Sequence, residues 1–171
     1  MSIARIFTLV VCALAFRVCS IAVASGASNG DSGEYAFRIK SVEIKHMGDA
    51  NFKTIGEYFG EKKEHRYFRC IARDAENKRA GTYFIIGLNV PVSKLPGELF
   101  AKIYAVMAME DGVRTFTCKI PEERKFPFVY EIYCGVVSEK IDIQKIRAWK
   151  IEFEDGEGNV LFGKKSYMWE L

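Results

Sequence analysis

The feature that most constrains the fold is a succession of strand-like segments joined by short polar turns. The clearest pair lies near the C-terminus, where 147–153 (RAWKIEF) alternates apolar and polar residues before the glycine-rich turn 155–159 (DGEGN). Alternation with a period of two places one set of side chains on each face of a strand, and glycine permits the positive φ angles of tight turns. The sequence therefore predicts a β-hairpin here, with the returning strand over 160–162 and 166–169.

Further strands are predicted along the rest of the chain, over 35–45, 65–73, 81–90, 99–109, 113–120 and 126–136. In the first of these the apolar positions change phase after Ile39, which predicts a β-bulge. The run 99–109 (LFAKIYAVMAM) also suits a helix. Its β-branched and aromatic residues, and the Asp-Gly pair at 111–112, favour a strand that enters a hairpin.

Taken together, these segments predict an all-β fold of about seven to eight strands. Because strands and helices do not alternate regularly, we expect an antiparallel β-sandwich of the immunoglobulin or fibronectin type. A small barrel or a jelly roll is the alternative. Apolar residues at helical spacing behind Asp49 predict one short helix near 50–59.

The N-terminal segment has the order of a secretory signal peptide. Arg5 precedes the apolar run 6–16, and 22–24 (AVA) forms a small-residue cleavage site. A retained membrane anchor is the alternative, but Arg17 interrupts the apolar stretch and is costly inside a spanning helix. We expect a secreted, periplasmic or cell-envelope protein that does not insert stably into the membrane after cleavage. The expected layout is signal peptide 1–24, flexible linker 25–33 and a single domain 34–171.

The charge balance argues against a nucleic-acid partner. The chain carries 25 Lys and Arg against 22 Asp and Glu, and 1–24 holds two arginines and no acid. The mature chain expected after cleavage, 25–171, therefore has a formal net charge of only +1. A nucleic-acid-binding surface needs a strongly basic patch, which this balance does not predict.

Three cysteines, Cys70, Cys118 and Cys134, remain in the expected domain, and each falls on the apolar face of a predicted strand. An odd number leaves at least one thiol outside any intramolecular pair. A Cys70–Cys134 bridge across the sandwich, with Cys118 as a thiol, would resemble the inter-sheet disulfide of immunoglobulin domains. The alternative is that all three are buried as small apolar side chains.

Motifs of catalysis and of bound cofactors do not occur in the sequence. His46 and His65 lie outside any ligand spacing that marks zinc, and neither a G-x-S-x-G elbow nor a glycine-rich nucleotide loop is present. Glu152 and Glu154 share one strand face and are expected to be solvated. The acidic turn 155–159 lacks the spacing of a dedicated calcium loop. We therefore expect no cofactor and no catalytic residue.

Aromatic residues are the remaining functional signal. One thin core cannot bury all of them, and the candidates for exposure are Tyr58, Phe59, Tyr67, Tyr104, Tyr133, Tyr167 and Trp169. Exposed rings anchor protein partners or stack on sugars, and an edge strand offers unpaired backbone groups. The last strand is expected to be such an edge, which places Tyr167 and Trp169 near a contact.

We therefore expect a non-enzymatic binding or structural module of the cell envelope or extracellular space, with a protein or glycan partner at the cell surface. Two alternatives stay open. A row of exposed aromatic rings on one sheet face would indicate a carbohydrate-binding module. A cleft that gathers His46 or His65 with a nucleophile and a carboxylate would indicate a small secreted hydrolase.

Overall fold

Eight β-strands form two four-stranded sheets in the computed structural model, which describes residues 37–53, 57, 60, 69–108, 112–123 and 127–170. The strands are β1 (Ile39–Met47), β2 (Cys70–Arg73), β3 (Gly81–Leu88), β4 (Leu99–Met107), β5 (Val113–Lys119), β6 (Glu131–Val136), β7 (Ile146–Asp155) and β8 (Val160–Lys165). Short 3-10 helices occupy Asp49–Asn51, Val92–Lys94, Ile143–Lys145 and Tyr167–Glu170. The expected signal peptide and linker lie outside the described residues.

The strand order is β1-β3-β6-β2 in one sheet, sheet A, and β5-β4-β7-β8 in the other, sheet B. Every pair is antiparallel except β2 and β6, which run parallel. The prediction of an all-β fold with two packed sheets is confirmed, and the described strands do not close into a barrel. The expectation of purely antiparallel pairing is wrong, because β2 follows β1 in sequence yet lies at the opposite edge of sheet A.

The hydrophobic core lies between the inner faces of the two sheets. Strand β4 shows the pattern most clearly, since its alternate residues Leu99, Ala101 and Ile103 are each 0 % exposed. From β7, Ile151 and Phe153 pack into the same core, as the sequence predicts. Full burial of one such aliphatic or aromatic side chain stabilises the fold by about 1.5–3 kcal/mol, so this layer holds the sheets together.

Several local predictions are confirmed. The register of β1 against β3 shifts between Ile39 and Ser41, where the sequence predicts a bulge. The segment that also suited a helix is strand β4, and it pairs with β5 as an antiparallel neighbour. Gly112 stands before β5 with φ +108°, a conformation that glycine adopts without strain.

Two predicted strands have different bounds in the structure. Strand β6 begins at Glu131 rather than at 126, and Phe128 is 86 % exposed in the turn that precedes it. Strand β8 ends at Lys165, and Tyr167–Glu170 forms a 3-10 helix instead of continuing the strand. Of the helix predicted near 50–59, the structure shows the 3-10 turn Asp49–Asn51, while 54–56 and 58–59 lie outside the described residues.

A second apolar cluster covers the outer face of sheet A. The Tyr83 ring is 0 % exposed and lies 4.8 Å from the Phe52 ring. The Tyr83 hydroxyl accepts a hydrogen bond from Arg73 Nε (2.8 Å) and donates one to the Arg79 carbonyl (2.6 Å). The ring lies against Gly135 of β6, where a Cβ would be 2.5 Å from Tyr83 Cε1. Sheet A is therefore buried on both faces around β3, whereas its edge strand β1 keeps exposed polar side chains such as Glu43 and Lys45.

Among the described residues, no helix has both the length and the apolar character needed to cross a membrane.

Candidate interaction surface

The most exposed apolar side chains near the C-terminus lie on β8 and the 3-10 helix that follows it. Tyr167 is 87 % exposed and Met168 is 53 % exposed. Val160 and Leu161, at the start of β8, are exposed to 54 % and 42 %. We call β8 and Tyr167–Glu170 together the C-terminal surface. Its apolar residues are far more exposed than the apolar residues of the core.

The 3-10 helix is anchored at both ends, although it is only four residues long. Ser166 hydrogen-bonds to β7 twice: its N–H donates to the Trp149 carbonyl (2.8 Å), and its hydroxyl accepts from the Trp149 N–H (3.0 Å). Trp169 then turns inward, with its N–H on the Ser166 carbonyl (3.1 Å) and its ring 6.3 Å from that of Tyr104. Lys165 and Glu170 form an ion pair across the turn. These contacts hold Tyr167 and Met168 outward on a fixed support.

Strand β8 forms one edge of sheet B, as expected, but this edge is irregular. The register against β7 shifts between Phe153 and Glu154, which leaves Leu161 as the extra residue of a bulge. Lys164 reaches across to sheet A, where its Nζ donates to the Lys40 carbonyl (2.6 Å). Bulges and edge lysines hinder the addition of a further strand. Side chains, rather than the backbone of β8, are therefore the accessible binding groups of the C-terminal surface.

The outer face of sheet B beside this surface carries paired charges. Lys102 Nζ donates to both Glu154 carboxylate oxygens (2.9 and 2.8 Å), and this hydrogen bonding raises the pKa of Lys102. Glu154 is only 9 % exposed, so the expectation of a solvated carboxylate is wrong for it. Lys150 pairs with Glu152 (2.6 Å) and lies 5.3 Å from the Tyr104 ring centroid. Because these charges are matched, the face has no strong field of one sign.

The tyrosine on that face is half-buried. Burial first, and the negative charge of Glu152 second, raise the pKa of Tyr104. Its ring lies between the Lys150 ammonium group and the Trp169 ring. Tyr104 therefore supports the 3-10 helix and does not stand free as a contact residue.

In the acidic turn between β7 and β8, the Asp155 carboxylate oxygens accept hydrogen bonds from other residues of the same turn. Asp155 Oδ1 accepts from the N–H groups of Glu157 (3.0 Å) and Asn159 (2.9 Å), and Oδ2 accepts from Asn159 Nδ2 (3.0 Å). These hydrogen bonds, the Asn159 side chain first, lower the pKa of Asp155. In the described part of the chain, no group of three or more His, Cys, Asp or Glu side chains is placed to hold a metal ion.

The arrangement around His46 bears on the hydrolase alternative. His46 lines a groove with Ser138 and Lys140 at the end of sheet A. The Ser138 hydroxyl donates to the Asp74 carboxylate, and the Thr82 hydroxyl in the same groove donates to the Ile141 carbonyl (3.0 Å). Both hydroxyls are thus engaged away from the imidazole. His65 lies outside the described residues.

The aromatic candidates do not form a row on one sheet face among the described residues. Tyr104 and Tyr133 lie on different sheets and are half-buried. Besides Tyr167, the strongly exposed rings are Phe128 and Tyr130, which lie in the segment before β6. Tyr58, Phe59 and Tyr67 lie outside the described residues.

The cysteines are arranged differently from the expected cross-sandwich pair. Cys70, Cys118 and Cys134 are all buried thiols in the structure. Cys70 on β2 and Cys134 on β6 belong to the same sheet, where Cys70 pairs with Ile132 and Cys134 pairs with Ala72. Their strands therefore lie side by side and do not face each other across the sandwich. The Cys70–Cys134 bridge stays a prediction, but it was inferred from two strands that face each other across the sandwich, and the structure places these strands side by side.

Sequence reasoning placed Tyr167 and Trp169 near the surface but overlooked two exposed apolar residues, Met168 next to Tyr167 and Leu161 near the start of β8. Met168 directly follows Tyr167, so its exposure could have been predicted once the strand was ended at Lys165. Leu161 is exposed because of the bulge, and no local pattern marks it. Comparisons with protein families, with curated proteins and with solved structures found no match to this chain.

Proposed function

We propose that this protein is an exported, non-enzymatic binding module that contacts a protein partner through its C-terminal surface. The observation that carries the proposal is the 87 % exposure of Tyr167, beside the half-exposed Met168, on an anchored turn. Aromatic residues and methionine are enriched in the cores of protein interfaces. Because the turn is already fixed, binding costs little conformational entropy there.

A protein partner fits this surface better than a glycan. Sugar-binding sites present aromatic rings as flat platforms, whereas here a single exposed ring lies next to Met168, and the exposed Val160 and Leu161 follow at the other end of β8. A rim of paired charges, such as Lys165 with Glu170, borders the apolar centre. An apolar centre with a polar rim is the common anatomy of a protein–protein interface.

The strand order supports the finer proposal of an immunoglobulin- or fibronectin-like sandwich. With β2 set aside, β1-β3-β6 has the order of strands A, B and E, and β5-β4-β7-β8 has the order of C′, C, F and G. Strand β2 then occupies the edge beside E that strand D takes in constant-type domains, although it comes earlier in the chain and runs parallel to its neighbour. The C-terminal surface thus belongs to the strand in position G.

Export rests on the N-terminal sequence. The basic residue, apolar run and AVA motif of 1–24 have the order that signal peptidase substrates share. We expect the mature protein to begin at Ser25 or within a few residues of it. N-terminal sequencing of the exported material checks this, and recovery of the intact Met1 start in the membrane fraction would contradict it.

Site-specific photocrosslinking tests the proposed surface. A photoreactive amino acid is placed at Tyr167 in one variant and at Phe128, which is equally exposed at 86 %, in a matched control. We expect a discrete crosslinked protein from position 167 only. Its yield should fall at least tenfold when the neighbouring Met168 is changed to Ser in the crosslinking variant. Equal crosslinking from both positions, or none from position 167, would refute the proposed surface.

A further inference from the structure

Three buried thiols lie together at the end of the core where β5 faces β6 and β2. Cys118 and Cys134 are 0 % exposed, and Cys70 is 8 % exposed. Cys118 belongs to sheet B, whereas Cys134 and Cys70 belong to sheet A. The three are part of one core cluster. Neither the proposed binding surface nor the packing of the sheets requires sulfur at these positions.

The two sheets approach each other closely here. Cα atoms of β5 come within 8 Å of Cα atoms of β6 and of β2, whereas packed sheets are usually about 10 Å apart. Small residues lie beside both cysteines, because Cys118 pairs with Ala101 and Cys134 pairs with Ala72 on its β2 side, while Phe84 pairs with Cys134 on its β3 side. Alanine fills little of the space between the sheets, so the cysteine side chains of opposite sheets come together.

The Cys118 sulfur spans the gap between the sheets. Its Sγ lies 3.6 Å from the carbonyl oxygen of Gly135, the residue that directly follows Cys134 on β6. The nearby Cys118 side chain, together with burial, raises the pKa of the Cys134 thiol well above its usual value. The Cys118 sulfur therefore contacts the backbone of the facing strand at the residue next to Cys134.

Cys70 is less well placed for a bond to Cys134. Neighbouring strands are about 4.8 Å apart and two residues advance about 6.6 Å, so the two-residue offset between Cys70 and Cys134 separates their Cα atoms by about 8 Å. Disulfides rarely span more than about 7 Å between Cα atoms. Between the two candidate partners of Cys134, the geometry favours Cys118.

We propose that Cys118 and Cys134 form an inter-sheet disulfide when a low-molecular-weight disulfide acts as the oxidant. One cysteine thiolate attacks the oxidant, expels one small thiol and forms a mixed disulfide. The second cysteine thiolate attacks the protein sulfur of that mixed disulfide and expels the other small thiol. Two protein thiols thus lose two electrons and two protons, and one small disulfide is reduced to two small thiols. The bond links β5 to β6 and closes the loop between them.

The reaction is expected to be slow in the folded protein. The thiolate is the reactive form, and its population is small when the pKa is raised and both sulfurs are buried. Brief opening of this end of the core is needed for the oxidant to enter. We therefore expect the rate of bond formation to rise with pH and with low concentrations of urea.

Trypsin separates the three cysteines, which makes a direct test simple. Cleavage after Lys and Arg places Cys70, Cys118 and Cys134 in the separate peptides 70–73, 115–119 and 126–140. The protein beginning at Ser25 is incubated with oxidised glutathione, alkylated and digested without reduction. We expect a linked pair of 115–119 with 126–140, and 70–73 as an alkylated thiol. Linkage of 70–73 to either other peptide would overturn the proposal. So would recovery of all three peptides as alkylated thiols after prolonged incubation with oxidised glutathione.

Two alanine variants sharpen this test. Cys70→Ala should retain the linked pair, whereas Cys118→Ala should abolish it and leave 126–140 alkylated. Oxidised wild-type protein should unfold at a higher urea concentration than reduced protein, and the difference should disappear in Cys118→Ala. The wild-type peptide map needs neither variant, so a variant that fails to fold leaves the test intact. This inference does not rest on the proposed binding surface.

Discussion

The outer faces of the two sheets differ in how far they are buried. On sheet A the outer face is buried a second time, under the cluster that includes Phe52, Ile71 and Tyr83. On sheet B the outer face is a layer of lysine–glutamate pairs around the half-buried Tyr104. The comparison teaches that the middle of sheet A is covered on both faces and only its edge strand β1 shows exposed polar residues, whereas sheet B has an accessible outer face that the exposed apolar residues of the C-terminal surface border.

This difference can be read in the strand sequences. Strand β4 of sheet B is buried at every second residue, so one face belongs to the core and the other is accessible. Strand β3 of sheet A begins with four consecutive buried residues, Gly81 to Phe84. Alternation indicates a strand with one buried face, and a continuous buried run indicates burial on both faces. The asymmetry of the molecule is therefore built into single strands.

The largest expected effect comes from filling the space under Tyr83. Gly135→Ala places a Cβ 2.5 Å from a ring that is 0 % exposed and fixed through its hydroxyl, so the ring cannot simply swing aside. Overpacking of this kind costs about 2–3 kcal/mol of unfolding free energy. Gly97→Ala is the matched control, because no atom lies within 4 Å of its added Cβ. Urea denaturation checks both, and equal stabilities would show that the outer cluster of sheet A is loosely packed.

The next largest effect is expected from removing the hydroxyl of a tyrosine, compared between Tyr83 on sheet A and Tyr104 on sheet B. Tyr83→Phe removes the hydroxyl that bonds Arg73 Nε and the Arg79 carbonyl in the outer cluster of sheet A, which should cost about 1–2 kcal/mol. Tyr104→Phe on sheet B removes a hydroxyl near Glu152 at a half-buried position that water still reaches, and should change stability by less than about 0.5 kcal/mol. Thermal unfolding of both variants measures the contrast. A larger loss for Tyr104→Phe would reverse the comparison between the sheets.

Local sequence pattern predicted much of sheet B and less of sheet A. The hairpins β4–β5 and β7–β8 join neighbours in sequence, so alternation and turn residues were enough to predict them. The parallel pairing of β2 with β6 joins Cys70 to Ile132, and no local pattern encodes a contact at that separation. The outer cluster that covers β3 was also not predicted, because Phe52 comes from a segment expected to be a short helix and Ile71 alternates with arginines on the predicted strand 65–73.

The candidate site was predicted in position but not in geometry. Tyr167 and Trp169 were expected to share one strand, whose alternate side chains point the same way. In the 3-10 helix they part, with Tyr167 exposed and Trp169 on Tyr104. The strand ends because Ser166 satisfies both the N–H and the carbonyl of Trp149, partly through its side chain. A serine with this role cannot be told from an ordinary strand serine by sequence pattern.

The smallest expected effect concerns the turn that carries β8 to the edge of sheet B. The pKa of Asp155 is lowered from 3.8 by the N–H donors of its own turn, so folding stabilises the ionised form. This contribution is fully present above the unfolded pKa and is lost as the pH falls through the lower folded pKa. Asp155→Asn keeps the size of the side chain and removes the charge. The wild type should therefore have the higher thermal midpoint at neutral pH, and the gap should close below pH 3.8.

A control within the same turn isolates that carboxylate. Glu157→Gln changes the net charge by the same amount but removes only a contact with Asn159 at 3.4 Å, beside the shorter Asn159 bond to Asp155 at 3.0 Å. Its thermal midpoint should follow that of the wild type more closely across the same pH range. If both variants instead lost the same stability at neutral pH, net charge and not the hydrogen-bonded Asp155 would account for the effect. In that case the Asp155 carboxylate would not stabilise the edge of sheet B, whereas the stability of the covered face of sheet A depends on single side chains such as Tyr83.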